Sequence, residues 1–125
     1  MARDAVTSDD LSAPDLPFSM AVRGGGLLFF SGQVATDPAT GELIGGDITQ
    51  QTEQVLRNLA AALAAAGKEL GDVVRVGVYL TDMSQFAAMN EVYSRHFTKP
   101  YPARTAIGVA ALPLGAAVEM DAVVG

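Results

Sequence analysis

The chain has 125 residues, half of them apolar, which fits one compact domain, residues 1–125, with room for a real core. Eight Lys and Arg against fourteen Asp and Glu give a net charge of −6, and no basic run could track a phosphate backbone, so nucleic acid is not an expected partner. The lack of cysteine excludes disulfides and thiolate chemistry, the acidic, proline-bearing start is unlike a secretory signal, and no apolar run approaches the roughly 18 residues of a membrane span, so a soluble, cytoplasmic protein is expected.

Residues 18–23 and 27–31 read as two strands joined by Gly24-Gly25-Gly26, whose freedom at positive φ suits a tight hairpin. These glycines join strands and do not open a helix, so they make a turn and not a phosphate cradle. Asp37-Pro38-Ala39-Thr40-Gly41 is a second turn signal, followed by a short strand or loop over 42–44. Over 47–66 the positions Ile48, Thr52, Val55, Leu59 and Leu63 recur at spacings of three and four, the stripe of an amphipathic helix. Asp47 and Gln50 have the spacing of a capping box at its start, and Gly67 can end it.

Val74, Val76, Val78 and Leu80 alternate within 72–80, which predicts a half-buried strand. Asp82 caps a second predicted helix over 83–97, with an inner stripe of Phe86, Met89, Asn90, Tyr93 and Phe97. Strands over about 103–110 and 117–124 flank Leu112-Pro113-Leu114-Gly115 and predict a closing hairpin. The order ββ(β)αβαββ predicts an α+β fold, a mixed six-stranded sheet with two helices packed on one face. The other face alternates apolar and small residues and is expected to pack against copies of the chain in a ring.

Residues 101–120, YPARTAIGVAALPLGAAVEM, place Arg104 and Glu119 in a stretch otherwise free of charge. A charge taken out of water costs several kcal/mol unless it is paired, so Arg104 calls for an anion, either a protein carboxylate or a ligand's. The residues alone leave both readings open: a cross-strand ion pair with Glu119, or a binding site. Asn90 is equally open between tying its helix to a backbone group and touching a ligand. Ser31, before Gly32, commonly serves a turn, and no His or Asp stands at a spacing that would make it a nucleophile. His96, the only histidine, lies where a cation suits a helix C-terminus, and neither a metal site nor a cofactor is expected.

The sequence PARTAIGVAALPLGAAVEM resembles the signature of the RidA (YjgF) family, and Pro17-Phe18, Ser31-Gly32-Gln33, Thr40-Gly41 and Asn90 fall in matching places. The resemblance implies a chorismate-mutase-like fold and a homotrimer with small clefts where subunits meet. It also implies hydrolysis of reactive enamines and imines, such as 2-aminoacrylate, to 2-keto acids and ammonia. Carried over residue by residue, Arg104 would hold the substrate carboxylate, Glu119 the attacking water, and Ser31 and Asn90 would line the cleft. The deaminating members have tyrosine where Phe18 stands and cysteine where Ala106 stands, so one hydrogen bond is lost at the first position and space is gained at the second.

Imine hydrolysis needs a carboxylate clamp, a placed water and help with proton transfers. The planar fork of Arg104 suits the first, and a carboxylate such as Glu119 suits the others. The competing expectation is a non-catalytic sensor that binds a 2-keto acid through Arg104. A ribonuclease or translation inhibitor is opposed by the net charge and the single histidine.

Overall fold

The computed structural model describes residues 2–8, 11 and 15–125; residues 1, 9, 10 and 12–14 of the acidic opening segment lie outside the described residues. The expected mixed sheet of six strands with two helices on one face is present, and its order is β1-β2-β3-β6-β4-β5. The strands are β1 Asp4–Ala5, β2 Ala21–Gly24, β3 Leu27–Gln33, β4 Val73–Leu80, β5 Ala103–Gly108 and β6 Val118–Val124; the helices are α1 Ile48–Ala65 and α2 Phe86–His96.

The β2–β3 hairpin turns at Gly25 and Gly26, both at positive φ (59° and 80°), as a two-residue turn with matching twist requires. Phe18 lies ahead of β2 and not within it, while β1, which the apolar pattern did not announce, supplies the sixth strand. Residues 42–44 form no strand; a Thr36–Leu43 bridge ties them to the chain after β3, and Leu43 and Ile44 pack against the core.

Helix α1 begins with the capping box that the sequence indicates: Asp47 accepts from the Gln50 N–H at 2.9 Å, and the Gln50 side chain accepts from the Asp47 N–H at 3.0 Å. Its stripe of Ile48, Thr52, Val55, Leu59 and Leu63 is buried against the sheet. Asn58 fastens α1 to the chain after β3 by donating to the Thr36 carbonyl at 2.9 Å. The core joins this stripe to Leu28 and Phe30 of β3, Val76, Val78 and Leu80 of β4, the even positions of β6 from Val118 to Val124, and Met89 and Val92 of α2.

Two expectations fail for identifiable reasons. Val74 turns outward because the register between β4 and β6 shifts between Val73 and Arg75; this bulge gives the inward place to Val73. The last two strands do not form a hairpin. A strand–helix–strand crossover returns parallel to its first strand, and β5 accordingly pairs parallel with β4. The loop after β5 then carries the chain back so that β6 inserts antiparallel between β3 and β4. Leu114 (φ 60°) and Gly115 (φ 73°) make the sharp change of direction in that loop.

Among the described residues no helix covers the face of the sheet away from α1 and α2. Phe29 and Ile107 stand on it, 43% and 45% exposed.

Candidate functional site

Strand pairing fixes which face each candidate residue occupies. Arg104 is in register with Val76, and Ala106 with Val78, so both lie on the helix face. Glu119 is in register with Tyr79, one position off the inward residues, and lies on the open face. With β4 between their strands and the sheet between their side chains, Arg104 and Glu119 form no ion pair within the chain. The cross-strand reading, which needed a β5–β6 hairpin, is removed with it.

Arg104 leaves the edge strand into a groove between β5 and α2, about 320 Å³ in volume, lined by Asn90, Tyr93, Ser94, Tyr101, Pro102 and Arg104. Its guanidinium carbon lies 4.7 Å from the centre of the Tyr93 ring and 5.6 Å from that of Phe86, so two rings fix its plane by cation–π attraction. Among the described residues no carboxylate lies within ion-pair distance of it. Burial raises the Tyr93 phenol above its usual value, and the Arg104 charge opposes that rise. The Tyr93 hydroxyl is buried without a partner among the described residues.

Asn90 lines the same groove, and its amide ties α2 to nothing among the described residues. Ala106 packs against the core and does not line the groove, so the extra space expected there falls inside the core layer.

Glu119 has different surroundings. It is half-buried beside Gly32, where an added Cβ would lie 2.7 Å from its Oε2. Gly32 falls in the irregularity of the β3–β6 register between Phe30 and Gln33, a place where a strand can aim a side chain out of the ladder. Burial first, and the charge of Asp121 second, raise the Glu119 carboxyl above the usual carboxylate value. Arg104 is not among the causes, as their separation requires.

Ser31 adjoins this region. Its Oγ donates to the Ser19 carbonyl at 2.6 Å, which holds the segment carrying the exposed Phe18 near the Ser31–Gly32 bend. The six candidate residues therefore fall into two groups: Arg104 and Asn90 in the groove, with Ala106 behind, and Glu119, Ser31 and Phe18 by the open face.

Tyr93, Ser94 and Tyr101 complete the groove, Gly32, Tyr79 and Asp121 neighbour Glu119, and Gly77 lies beside Asp121. Sequence reasoning assigned none of these to the site. Only the period-two spacing of Glu119 and Asp121, which puts both acids on one face of β6, was available to signal them. Among the described residues no group of three or more His, Asp or Glu is placed to hold a metal ion, and no helix is long and apolar enough to cross a membrane.

A family model described as endoribonuclease L-PSP matches residues 10–125. A RutC family protein of Pyrococcus horikoshii is 45% identical over 121 residues, covering 97% of this chain and 96% of that protein. The mouse protein named 2-iminobutanoate/2-iminopropanoate deaminase is 39% identical over 121 residues, covering 97% of this chain and 90% of its own length. The crystal structure of RidA from an Antarctic Psychrobacter superposes with a TM-score of 0.87 at 43% identity, covering 97% of this chain and 98% of that one.

Proposed function

Because the chain belongs to the endoribonuclease L-PSP family, the RidA family that its carboxyl-terminal signature resembles, we propose that it hydrolyses reactive imines and enamines of the 2-aminoacrylate type to 2-keto acids and ammonia. The observation that carries this reading is Arg104: a guanidinium held flat by two rings, in a groove, with no protein carboxylate paired to it among the described residues. A 2-imino acid supplies the missing anion through its carboxylate, bound bidentately and fixed in orientation.

One subunit does not bring Glu119 to that carboxylate. The open face, with Phe29 and Ile107 exposed, supports assembly with copies of the chain, and a homotrimer would set the groove of one subunit against the Glu119 region of the next. Once an enamine has taken a proton from solvent at its methylene carbon to become the iminium, Glu119 takes a proton from water as the water oxygen bonds to the iminium carbon, giving a carbinolamine. It returns that proton to the amine nitrogen; the C–N bond breaks, and the hydroxyl proton passes to the departing ammonia. The products are the 2-keto acid and ammonium. The raised proton affinity of Glu119 suits both roles, since a carboxylate titrating nearer neutrality is a stronger base and a carrier that fills readily.

Phe18 supports a second reading. The deaminating members that the signature resembles carry a phenol there, and without it the cleft would bind a 2-keto acid and catalyse nothing. Release of 2-keto acid from 2-aminoacrylate generated in situ by a dehydratase separates the two, comparing wild type, Arg104→Ala and a protein-free control. Acceleration lost in Arg104→Ala supports the hydrolase; no acceleration by folded protein that still binds pyruvate supports the sensor. Light scattering that finds a monomer at micromolar concentration would remove the shared cleft.

A further inference from the structure

Glu119 and Asp121, two residues apart on β6, project onto the same open face, and each sits where the neighbouring strand carries a glycine. On the β3 side, an added Cβ at Gly32 would lie 2.7 Å from Glu119 Oε2 and 2.8 Å from its carboxyl carbon. On the β4 side, an added Cβ at Gly77 would strike Asp121 Oδ1 and lie 2.9 Å from the Tyr79 hydroxyl. The two carboxylates thus occupy separate notches in the sheet, and no other residue type would leave both open.

Their anchoring differs. Asp121 is held at both oxygens: the Gly77 N–H donates to Oδ1 at 3.1 Å, and the Tyr79 hydroxyl donates to Oδ2 at 2.9 Å. Tyr79 stands opposite Glu119 in register, so its hydroxyl reaches diagonally past Glu119 to do so. Glu119 itself accepts no hydrogen bond among the described residues. One acid is fixed and the other is free to meet a ligand.

We propose that Asp121, clamped by Tyr79 and Gly77, is a positioning residue for Glu119, and that its fixed negative charge strengthens Glu119 as the base that takes the water's proton and returns it to the amine nitrogen. The inference rests on the reading of Glu119 as the residue that handles the water. The Asp121 carboxylate, held at both oxygens by donors on β4, lies on the same face as Glu119 and raises its proton affinity. The other ionisable groups facing the pair are few. On β4 they are Tyr79 and Arg75, and Arg75 acts on the Tyr79 phenol and not among the causes at Glu119. On β3 the neighbours Ser31, Gly32 and Gln33 carry no charge, and α1 and α2 lie behind the sheet. Burial of Glu119 works in the same direction as Asp121 and is the larger cause.

The test is a carbon-13 NMR titration of the Glu119 carboxyl in the intact protein, alongside the pH–rate profile for 2-aminoacrylate hydrolysis. In wild type the midpoint should lie above that of a free glutamate. Asp121→Asn should lower it measurably, burial alone then holding it up. Tyr79→Phe, which keeps the ring and the charge but lets Asp121 swing away, should lower it by less; this milder variant carries the test if Asp121→Asn does not fold. The acidic limb of the rate profile should move with the NMR midpoint in each variant.

A midpoint unchanged in folded Asp121→Asn and Tyr79→Phe overturns the inference, whatever the activity. A midpoint that moves while the rate profile stays put, or while Glu119→Gln remains active, upholds the coupling and overturns the catalytic reading of Glu119. The two failures are therefore distinguishable.

Discussion

The two faces of the sheet are made by the same strands and are built to opposite rules. On the helix face of β6, Val118, Met120, Ala122 and Val124 are buried among apolar neighbours. On its other face, Glu119 and Asp121 sit half-buried in glycine notches, with Phe29 and Ile107 exposed on the same face. A strand alternates its side chains, so seven residues serve both tasks at once. The packed face supplies the stability on which the open one can leave two acids close together. At the edge where β5 meets α2 the helix face admits a charge, Arg104, and there two rings hold it in a groove.

The sharpest way to break this comparison is to truncate the packed face. Leu59 of α1 is fully buried, and Leu59→Ala should cost about 2–5 kcal/mol in urea denaturation through lost transfer energy and the cavity left behind. Phe29→Ala on the open face should cost the folded chain clearly less, since almost half of the side chain is already in water. Equal losses at the two positions, with no dependence on protein concentration, would show that the open face is a core in its own right.

Arg104 tests whether the edge groove binds or merely packs. Arg104→Ala should weaken pyruvate binding about 10–100-fold, the usual range for a lost charge-assisted pair of hydrogen bonds. Arg104→Lys should recover only part of it, because an ammonium has no planar fork. Calorimetric titration reads both. Unchanged affinity in Arg104→Ala would make the arginine structural, held by Tyr93 and Phe86 alone.

How much of this was legible beforehand depends on distance along the chain. The β2–β3 hairpin and α1 with its capping box depend on residues within a few positions of one another, and they stand where local chemistry puts them. The place of β6 does not. Nothing near residues 103–124 says that β6 inserts between β3 and β4, because that pairing is decided by strands about 40 and 90 residues away. The faces of Arg104 and Glu119 follow from that insertion, so their residue types were readable and their separation was not. The bulges at Val74 and at Ser31–Gly32 were hidden for the same reason: a register shift is a property of a pair of strands.

Gly32→Ala sharpens the open face more finely. The three atoms nearest the added methyl all belong to the flexible Glu119 side chain, so the fold should persist, with Tm shifting by no more than a few degrees. Glu119 must leave its notch, and hydrolysis should fall about tenfold or more for a displaced catalytic carboxylate. Full activity with the methyl in place would mean that the notch does not set the position of Glu119.

The smallest expected effect lies far from both faces' functional groups, where His96 of α2 bonds Glu53 of α1 and Arg57 lies 3.4 Å from the same carboxylate. The His96 hydrogen bond is the main reason the Glu53 carboxyl titrates below its usual value of 4.5. A carboxyl whose folded pKa is depressed stabilises the fold above its unfolded pKa, and that contribution is lost as pH falls through the folded pKa. The loss therefore belongs below about pH 4.5, and Glu53→Gln should flatten the acid side of the stability curve there while leaving Glu119 chemistry near neutrality unchanged. Because this bridge is partly exposed, solvent screening holds its contribution below about 1 kcal/mol. A Glu53→Gln variant whose pH–stability curve matches wild type below pH 4.5 would assign the packing of α1 against α2 to apolar contacts alone.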